Sequence, residues 1–114
     1  MSWQTAPTIA WQPQAPGDVR NHVDPAWHGE VGRILVALKS DPKLGEWLHA
    51  DTRTGDLSDC RKVKFGPDDG RGPRYRLVYR LLPDRYAPTT VEIVAIGPRD
   101  QMLAYAVAAT RLGR

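Results

Sequence analysis

Two short stretches, Arg61-Lys62-Val63-Lys64-Phe65 and Arg74-Tyr75-Arg76-Leu77-Val78-Tyr79, alternate cationic and apolar side chains almost residue by residue. In a β-strand successive side chains point to opposite faces, so each stretch sends its cations one way and its apolar residues the other. Lys62 and Lys64 oppose Val63 and Phe65, while Arg74, Arg76 and Arg80 oppose Tyr75, Leu77 and Tyr79. Between the stretches, Gly66-Pro67-Asp68-Asp69-Gly70-Arg71-Gly72-Pro73 can only be a loop, so strands 61–65 and 74–82 are expected to form a hairpin with a long connection. The apolar sides must share a core, which leaves the cationic sides together on the other face.

The remaining elements follow from local pattern. Thr8-Ile9-Ala10-Trp11 reads as a short strand, and the Pro-rich, polar stretch 12–21 as a loop. Asp24-Pro25 places an N-cap acid before a proline suited to the first helical turn, and Trp27, Val31, Ile34, Leu35 and Leu38 follow at helical spacing, so a helix is expected from about 25 to 39. Asp41-Pro42 repeats the start signal, with Leu44, Trp47 and Leu48 as a small apolar face, and predicts a second helix ending before a polar turn at 51–55. After a connection at 83–90, Val91 to Ile96 reads as a central strand ended by Gly97-Pro98. Asp100 is then expected to cap a last helix bearing Met102, Leu103, Ala106, Val107 and Ala109. The expected fold class is α+β. It is a single domain over 1–114, with residues 1–7 as a disordered tail and a mostly antiparallel four-stranded sheet. Its helices lie on one face and its other face is open.

Charge is divided unevenly along this chain. Residues 1–60 hold five Lys and Arg against eight Asp and Glu, and residues 61–114 hold eleven against five. Such asymmetry points to a polyanionic partner, nucleic acid first, with an acidic protein or a membrane surface behind it. The alternative is a solvated basic face. What favours a site is convergence from three strands and a helix: Arg99 follows the Val91–Ile96 run and Tyr105 lies six residues further on. Like charges brought together weaken folding unless an anion joins them.

Several classes are disfavoured by simple counts. A chain of 114 residues suits one core. It has no apolar run long enough to span a bilayer and no charged leader followed by an apolar stretch, so a cytoplasmic protein without membrane contact is expected. Cys60 is the only cysteine, and His22, His28 and His49 show no metal-ligand spacing, so no metal site or other cofactor is expected. Cys60 reads as a small buried residue rather than a nucleophile.

These residues resemble the RelE-type toxins of bacterial toxin-antitoxin systems, within the RelE/ParE superfamily. The resemblance covers most of 57–114 and rests on Asp59-Cys60-Arg61-Lys62-Val63-Lys64, Tyr75-Arg76-Leu77-Val78-Tyr79, Ile96-Gly97-Pro98-Arg99 and Tyr105-Ala106. It implies a RelE-like fold and a ribosome-dependent endoribonuclease that cleaves messenger RNA in the ribosomal A site and so inhibits translation. The implied partners are the ribosome with its messenger and a cognate antitoxin that wraps the toxin in a hetero-oligomeric complex. By the same resemblance Lys62, Lys64, Arg76, Arg99 and Tyr105 occupy the family's functional positions. Arg61, Arg74 and Arg80 are read as RNA-binding neighbours, with Arg61 either flanking the site or bordering the strand. Trp3, Trp11, Trp27 and Trp47 read as packing or antitoxin-groove residues.

The residue types suit that chemistry. Attack of a 2′-oxygen on its own phosphorus needs a proton removed, another delivered to the 5′-oxygen, and a charge-rich phosphorane neutralised. With the histidines elsewhere, lysine must do the proton work, and an ammonium crowded by cations loses its proton more readily. Lys62 is read as the base and Lys64 as the group assisting the charge or the leaving oxygen, although the reverse assignment is equally compatible. Arg76 and Arg99 would grip non-bridging oxygens, and Tyr105 would stack on or orient the nucleotide. Two other classes compete: a ParE-like, non-catalytic inhibitor of DNA gyrase, and a plain RNA-binding module for which Lys62 and Lys64 are only point charges.

Overall fold

A five-stranded sheet is ordered β1 (Thr8–Trp11), β5 (Thr90–Pro98), β4 (Pro73–Leu82), β3 (Cys60–Asp68), β2 (Glu46–Trp47), and both faces of its middle strand β4 are buried along most of its length. The computed structural model describes residues 6–48 and 55–114. Most of the expected tail, Trp3, His49 and positions 51–54 of the expected turn lie outside those residues. β3 and β5 flank β4 antiparallel, with Lys64 opposite Arg76 and Arg76 in turn opposite Gly97. β1 runs parallel to β5, and β2 closes the far edge against β3. The class is α+β as expected, but the sheet has five strands and is mixed.

The alternation in β3 and β4 divides the side chains as predicted. Phe65, Tyr75, Leu77, Tyr79 and Leu81 enter one core with Val31, Ile34 and Leu38 of α2 (His28–Ser40) and with Ala15 of α1 (Ala15–His22). Full burial of such a side chain contributes about 1.5–3 kcal/mol relative to exposure. The other face is not bare. Ala104, Ala108 and Ala109 of α3 (Leu103–Arg111) pack on Cys60, Val78, Val94 and Ala95, so the helices lie on both faces rather than one. Alanines let the helix approach closely, and a register shift at Val78/Tyr79 turns both Val94 and Ala95 toward it.

Four local expectations are corrected, three of them at helices. The Pro-rich stretch contains α1, whose Pro16 fits the first turn because its missing N–H would be unsatisfied there anyway. Asp18 secures this helix: buried, it accepts from the Ile96 amide at 2.9 Å and from both terminal nitrogens of Arg111 at 2.7 and 2.8 Å. The second expected helix is a turn followed by β2, with Leu44 and Trp47 exposed. Its backbone is satisfied from outside, by Tyr79 Oη accepting from the Gly45 amide and donating to the Pro42 carbonyl, and by Arg61 donating to the carbonyls of Lys43 and Gly45. A Cβ on Gly45 would stand 2.7 Å from the Lys62 carbonyl, which also excludes a longer side chain. Lastly, Asp100 caps nothing: it begins a short 3-10 turn, and α3 starts after Gln101 and Met102 take positive φ of 55° and 53°.

The first helix signal holds. Asp24 accepts from the Ala26 amide at 2.9 Å, a 3-10 turn spans Pro25–Trp27, and α2 follows. The long connection expected at 66–73 shortens to the four residues 69–72, because β3 and β4 extend to Asp68 and Pro73 past an irregularity after Phe65. Among the described residues no helix is long and apolar enough to cross a membrane.

Candidate functional site

On the α3 side of the sheet, alternation brings Lys62 and Lys64 of β3 beside Arg74, Arg76 and Arg80 of β4. Lys64 and Arg74 are exposed, Lys62 is half-buried, and Arg76 is only 8% exposed. Tyr105 reaches the same place from α3, where its ring centroid lies 5.8 Å from Lys62 Nζ. That is cation–π range. The helix therefore positions the tyrosine by packing on Val78 and Ala95, one strand away from the lysines.

Arg76 is held by its own strand. Its Nη1 donates to the Pro73 carbonyl at 2.7 Å and to the Tyr75 carbonyl at 2.9 Å, while its buried Nε has no partner. An unsatisfied buried donor on a cation is costly, so this guanidinium is poised for an acceptor. Arg99 converges on it. Its amide donates to the Arg74 carbonyl at 2.8 Å, and its Nη1 donates to the carbonyl of Gly72, the residue before Arg76's acceptor Pro73. Two guanidinium groups thus sit on consecutive carbonyls at the mouth of the hairpin.

Counter-ions are unevenly shared. Arg80 is matched by Glu92 at 2.6 Å, Lys64 meets Glu46 at 3.8 Å, and Arg99 meets Asp69 at 2.6 Å. Among the described residues Lys62, Arg74 and Arg76 have no carboxylate within ion-pair distance. The Arg99 hydrogen bond holds the Asp69 carboxyl well below its usual range, at about 2. A face with permanent positive charge, a fixed pair of planar donors, two amines and an aromatic ring can bind a phosphodiester, move its protons and stack a base.

The structure brings together Lys62, Lys64, Arg74, Arg76 and Tyr105, with Arg99 at the end of the same track. Arg61 stands apart on the opposite face, 9% exposed, with its guanidinium 4.0 Å from the Trp47 ring centroid. Arg80 lies on the expected face but is engaged by Glu92. Cys60 is fully buried, and burial pushes its thiol up to about 12, which suits the packing role expected of it. Trp11 and Trp27 pack against the α2 core, while Trp47 is exposed. Sequence reasoning missed Asp69 and Glu92 as site neighbours. The acidic pair Asp68-Asp69 inside an otherwise basic half was the available signal for the first.

This architecture is the RelE-like α+β fold. The chain superposes on a double arginine-to-alanine mutant of the Escherichia coli toxin RelE in the free state with a TM-score of 0.63 at 19% identity, covering 95% of this chain and 99% of that one. It matches the isolated E. coli RelE toxin with a TM-score of 0.60 at 20% identity, covering 94% and 99%. The RelBE2 toxin-antitoxin complex of Mycobacterium tuberculosis gives 0.60 at 22% identity, covering 83% and 100%. No protein-family model matches the sequence, and no curated protein does either. At these identities the likeness establishes the fold.

Proposed function

We propose that this protein is the toxin of a toxin-antitoxin pair and acts as a ribosome-dependent messenger RNA endoribonuclease. The observation that carries this reading is the convergence of Lys62, Lys64, Arg76 and Tyr105 on one sheet face, with Arg99 beside Arg76. The fold shared with E. coli RelE supports it, and the RelBE2 neighbour, solved with its antitoxin, supports a protein partner of that kind. The lack of any membrane-crossing helix among the described residues is compatible with work at cytoplasmic ribosomes.

The chemistry follows from the placement. The scissile phosphate lies over the Lys64–Arg76 pair, where its non-bridging oxygens meet the unpartnered edge of Arg76 and the guanidinium of Arg99. The 2′-hydroxyl loses its proton to one lysine, the new oxygen–phosphorus bond forms in line, and the 5′-oxygen leaves with a proton from the other. Lys62 serves as base and Lys64 as acid, or the reverse. Tyr105, beside Lys62, stacks on the nucleotide. The products are a 2′,3′-cyclic phosphate and a 5′-hydroxyl. The ribosome supplies the in-line geometry, so free RNA reacts weakly.

The test is in-vitro translation followed by primer extension, with and without ribosomes, for the wild type and Lys62→Arg. Discrete ribosome-dependent cuts that disappear in the variant support proton transfer by Lys62. Cuts that survive show that Lys62 is only a point charge. Intact messenger with unimpaired translation favours a gyrase-directed or purely binding role.

A further inference from the structure

Arg99 is already occupied. Its Nη2 donates to both carboxylate oxygens of Asp69, at 2.6 and 2.7 Å, its Nη1 donates to the Gly72 carbonyl, and its Nε lies 3.7 Å from Asp100. Both two-pronged edges of a guanidinium, Nε–Nη2 and Nη1–Nη2, include Nη2, which is turned to Asp69, so neither edge is open to a phosphate. A substrate oxygen can reach that grip only by replacing something.

We infer that the Asp69 carboxylate is an internal stand-in for the substrate phosphate on Arg99, and that RNA engages this arginine by exchanging with it. Resting on the phosphodiester-binding reading above, this adds a residue that sets affinity and a loop that must yield. Several features fit exchange better than a permanent brace. Asp69 sits at the tip of the β3–β4 hairpin, between Asp68 and Gly70, and its shortest ion pair is to the side chain of Arg99, which follows β5, at 2.6 Å, rather than to Arg71 of its own hairpin, at 3.6 Å. Gly70 and Gly72 both take φ of +95° with open space where a Cβ would be, so the tip can change shape without a clash.

The displaced carboxylate also has somewhere to go. Arg71 Nη2 stands 3.6 Å from Asp69 and 3.9 Å from Asp100, offering a second cation in solvent. Asp69 has one bond in the turn itself, its Oδ1 accepting from the Arg71 amide at 3.2 Å, while Asp68 Oδ1 accepts from the amides of Gly70 and Gly72 at 2.8 and 3.0 Å. Exchanging Asp69 for Asn removes the charge but keeps an amide oxygen that can accept from Arg71, so the turn's own hydrogen bonds can stay in place. The carboxylate is also a real competitor at any ordinary pH, because Arg99 holds it ionised down to about 2.

The test measures binding without cleavage. A fluorescein-labelled single-stranded RNA with every 2′-hydroxyl methylated cannot be cut by 2′-attack, and its anisotropy at fixed salt reports affinity. Asp69→Asn is expected to bind it at least about tenfold tighter, the size of losing one charge-assisted competitor. Asp100→Asn removes the same charge nearby without freeing Nη2, and is expected to change affinity by no more than about twofold. In an Arg99→Ala background the gain from Asp69→Asn should vanish. Unchanged or weaker binding by Asp69→Asn would show that Asp69 braces Arg99 instead. Equal tightening by Asp100→Asn would reduce the effect to general charge, and either result overturns the proposal. If Asp69→Asn tightens binding yet ribosome-bound messenger stays whole, the exchange stands and the endoribonuclease reading falls. If messenger is cut but Asp69→Asn binds as the wild type does, the reverse holds.

Discussion

The two faces of β4 differ by one residue in register and by everything in chemistry. Tyr75, Leu77, Tyr79 and Leu81 are buried against α2, where a side chain's contribution is mainly apolar area and fit. Arg74, Arg76 and Arg80 alternate with them on the α3 side, where Arg76 is nearly as buried as the apolar residues yet keeps an unsatisfied Nε. Burying a charge without an apolar gain costs stability, so the second face is maintained at a cost that the fold alone does not need. The pairing teaches that burial alone does not distinguish core from site. On β4 the distinction lies in which face a buried group occupies and whether a second element takes up its hydrogen-bonding groups.

Neighbouring substitutions on β4 should separate the faces. Leu77→Ala, on the core side, is expected to cost about 2–5 kcal/mol in denaturant unfolding and to leave cleavage per folded molecule unchanged. Arg76→Ala, one residue earlier, should lower messenger cleavage by about 10²–10³-fold, as loss of an oxyanion donor does, while the protein stays folded by circular dichroism. If the two variants behaved alike, the distinction between faces would be lost.

Arg61 sharpens the comparison from within β3. It resembles Arg76 in burial, in an unpartnered Nε and in an Nη1 spent on two carbonyls, but those carbonyls, of Lys43 and Gly45, belong to the segment leading into β2 rather than to its own strand, it faces away from the lysines, and its guanidinium carbon lies 4.0 Å from the Trp47 ring centroid. Arg61→Ala is therefore expected to cost about 1–3 kcal/mol of stability, the penalty for stranding those carbonyls, with no loss of cleavage by the folded fraction. A cleavage defect without a stability change would move Arg61 into the RNA track. The smallest effect expected is at Asp69. Its folded pKa of about 2 lies below the ordinary 3.8, so its contact with Arg99 is fully present above that ordinary value and is lost as the pH falls through about 2. A carboxyl NMR titration of Asp69 with a midpoint near the ordinary value would contradict the close contact.

Much of this was legible because alternation is a local signal. The division of β3 and β4 into two faces, the capped start at Asp24-Pro25, the strand Thr8–Trp11 and the Val91–Ile96 run of β5 all follow from neighbours in sequence, although β5 continues through the Gly97-Pro98 expected to end it. What failed depended on distant partners. The segment after Asp41 carries a helix start signal, yet Tyr79 and Arg61 take its backbone groups and Gly45 admits no side chain. The Pro-rich approach forms a helix because Asp18 meets Arg111, 93 residues away. The last helix was expected, but not that it covers part of the face read as open: its packed side is made of the small residues Ala104, Ala108 and Ala109, while its large Leu103 is exposed. Lys62, Lys64, Arg76 and Tyr105 could be grouped from sequence because strand register brings the first three together. The acidic pair Asp68-Asp69 marked the loop, but that Asp69 rather than Asp68 meets Arg99 depends on where Arg99 folds back.

The central claim is that the α3-side cations of β3 and β4 cleave RNA by 2′-attack, and the fragment ends report that most directly. Messenger recovered from ribosomes treated with the wild-type protein should carry a 2′,3′-cyclic phosphate on the upstream fragment and a 5′-hydroxyl on the downstream one, and neither should form with Arg76→Ala. A 5′-phosphate with a 3′-hydroxyl, or identical cutting by Arg76→Ala, would contradict the account.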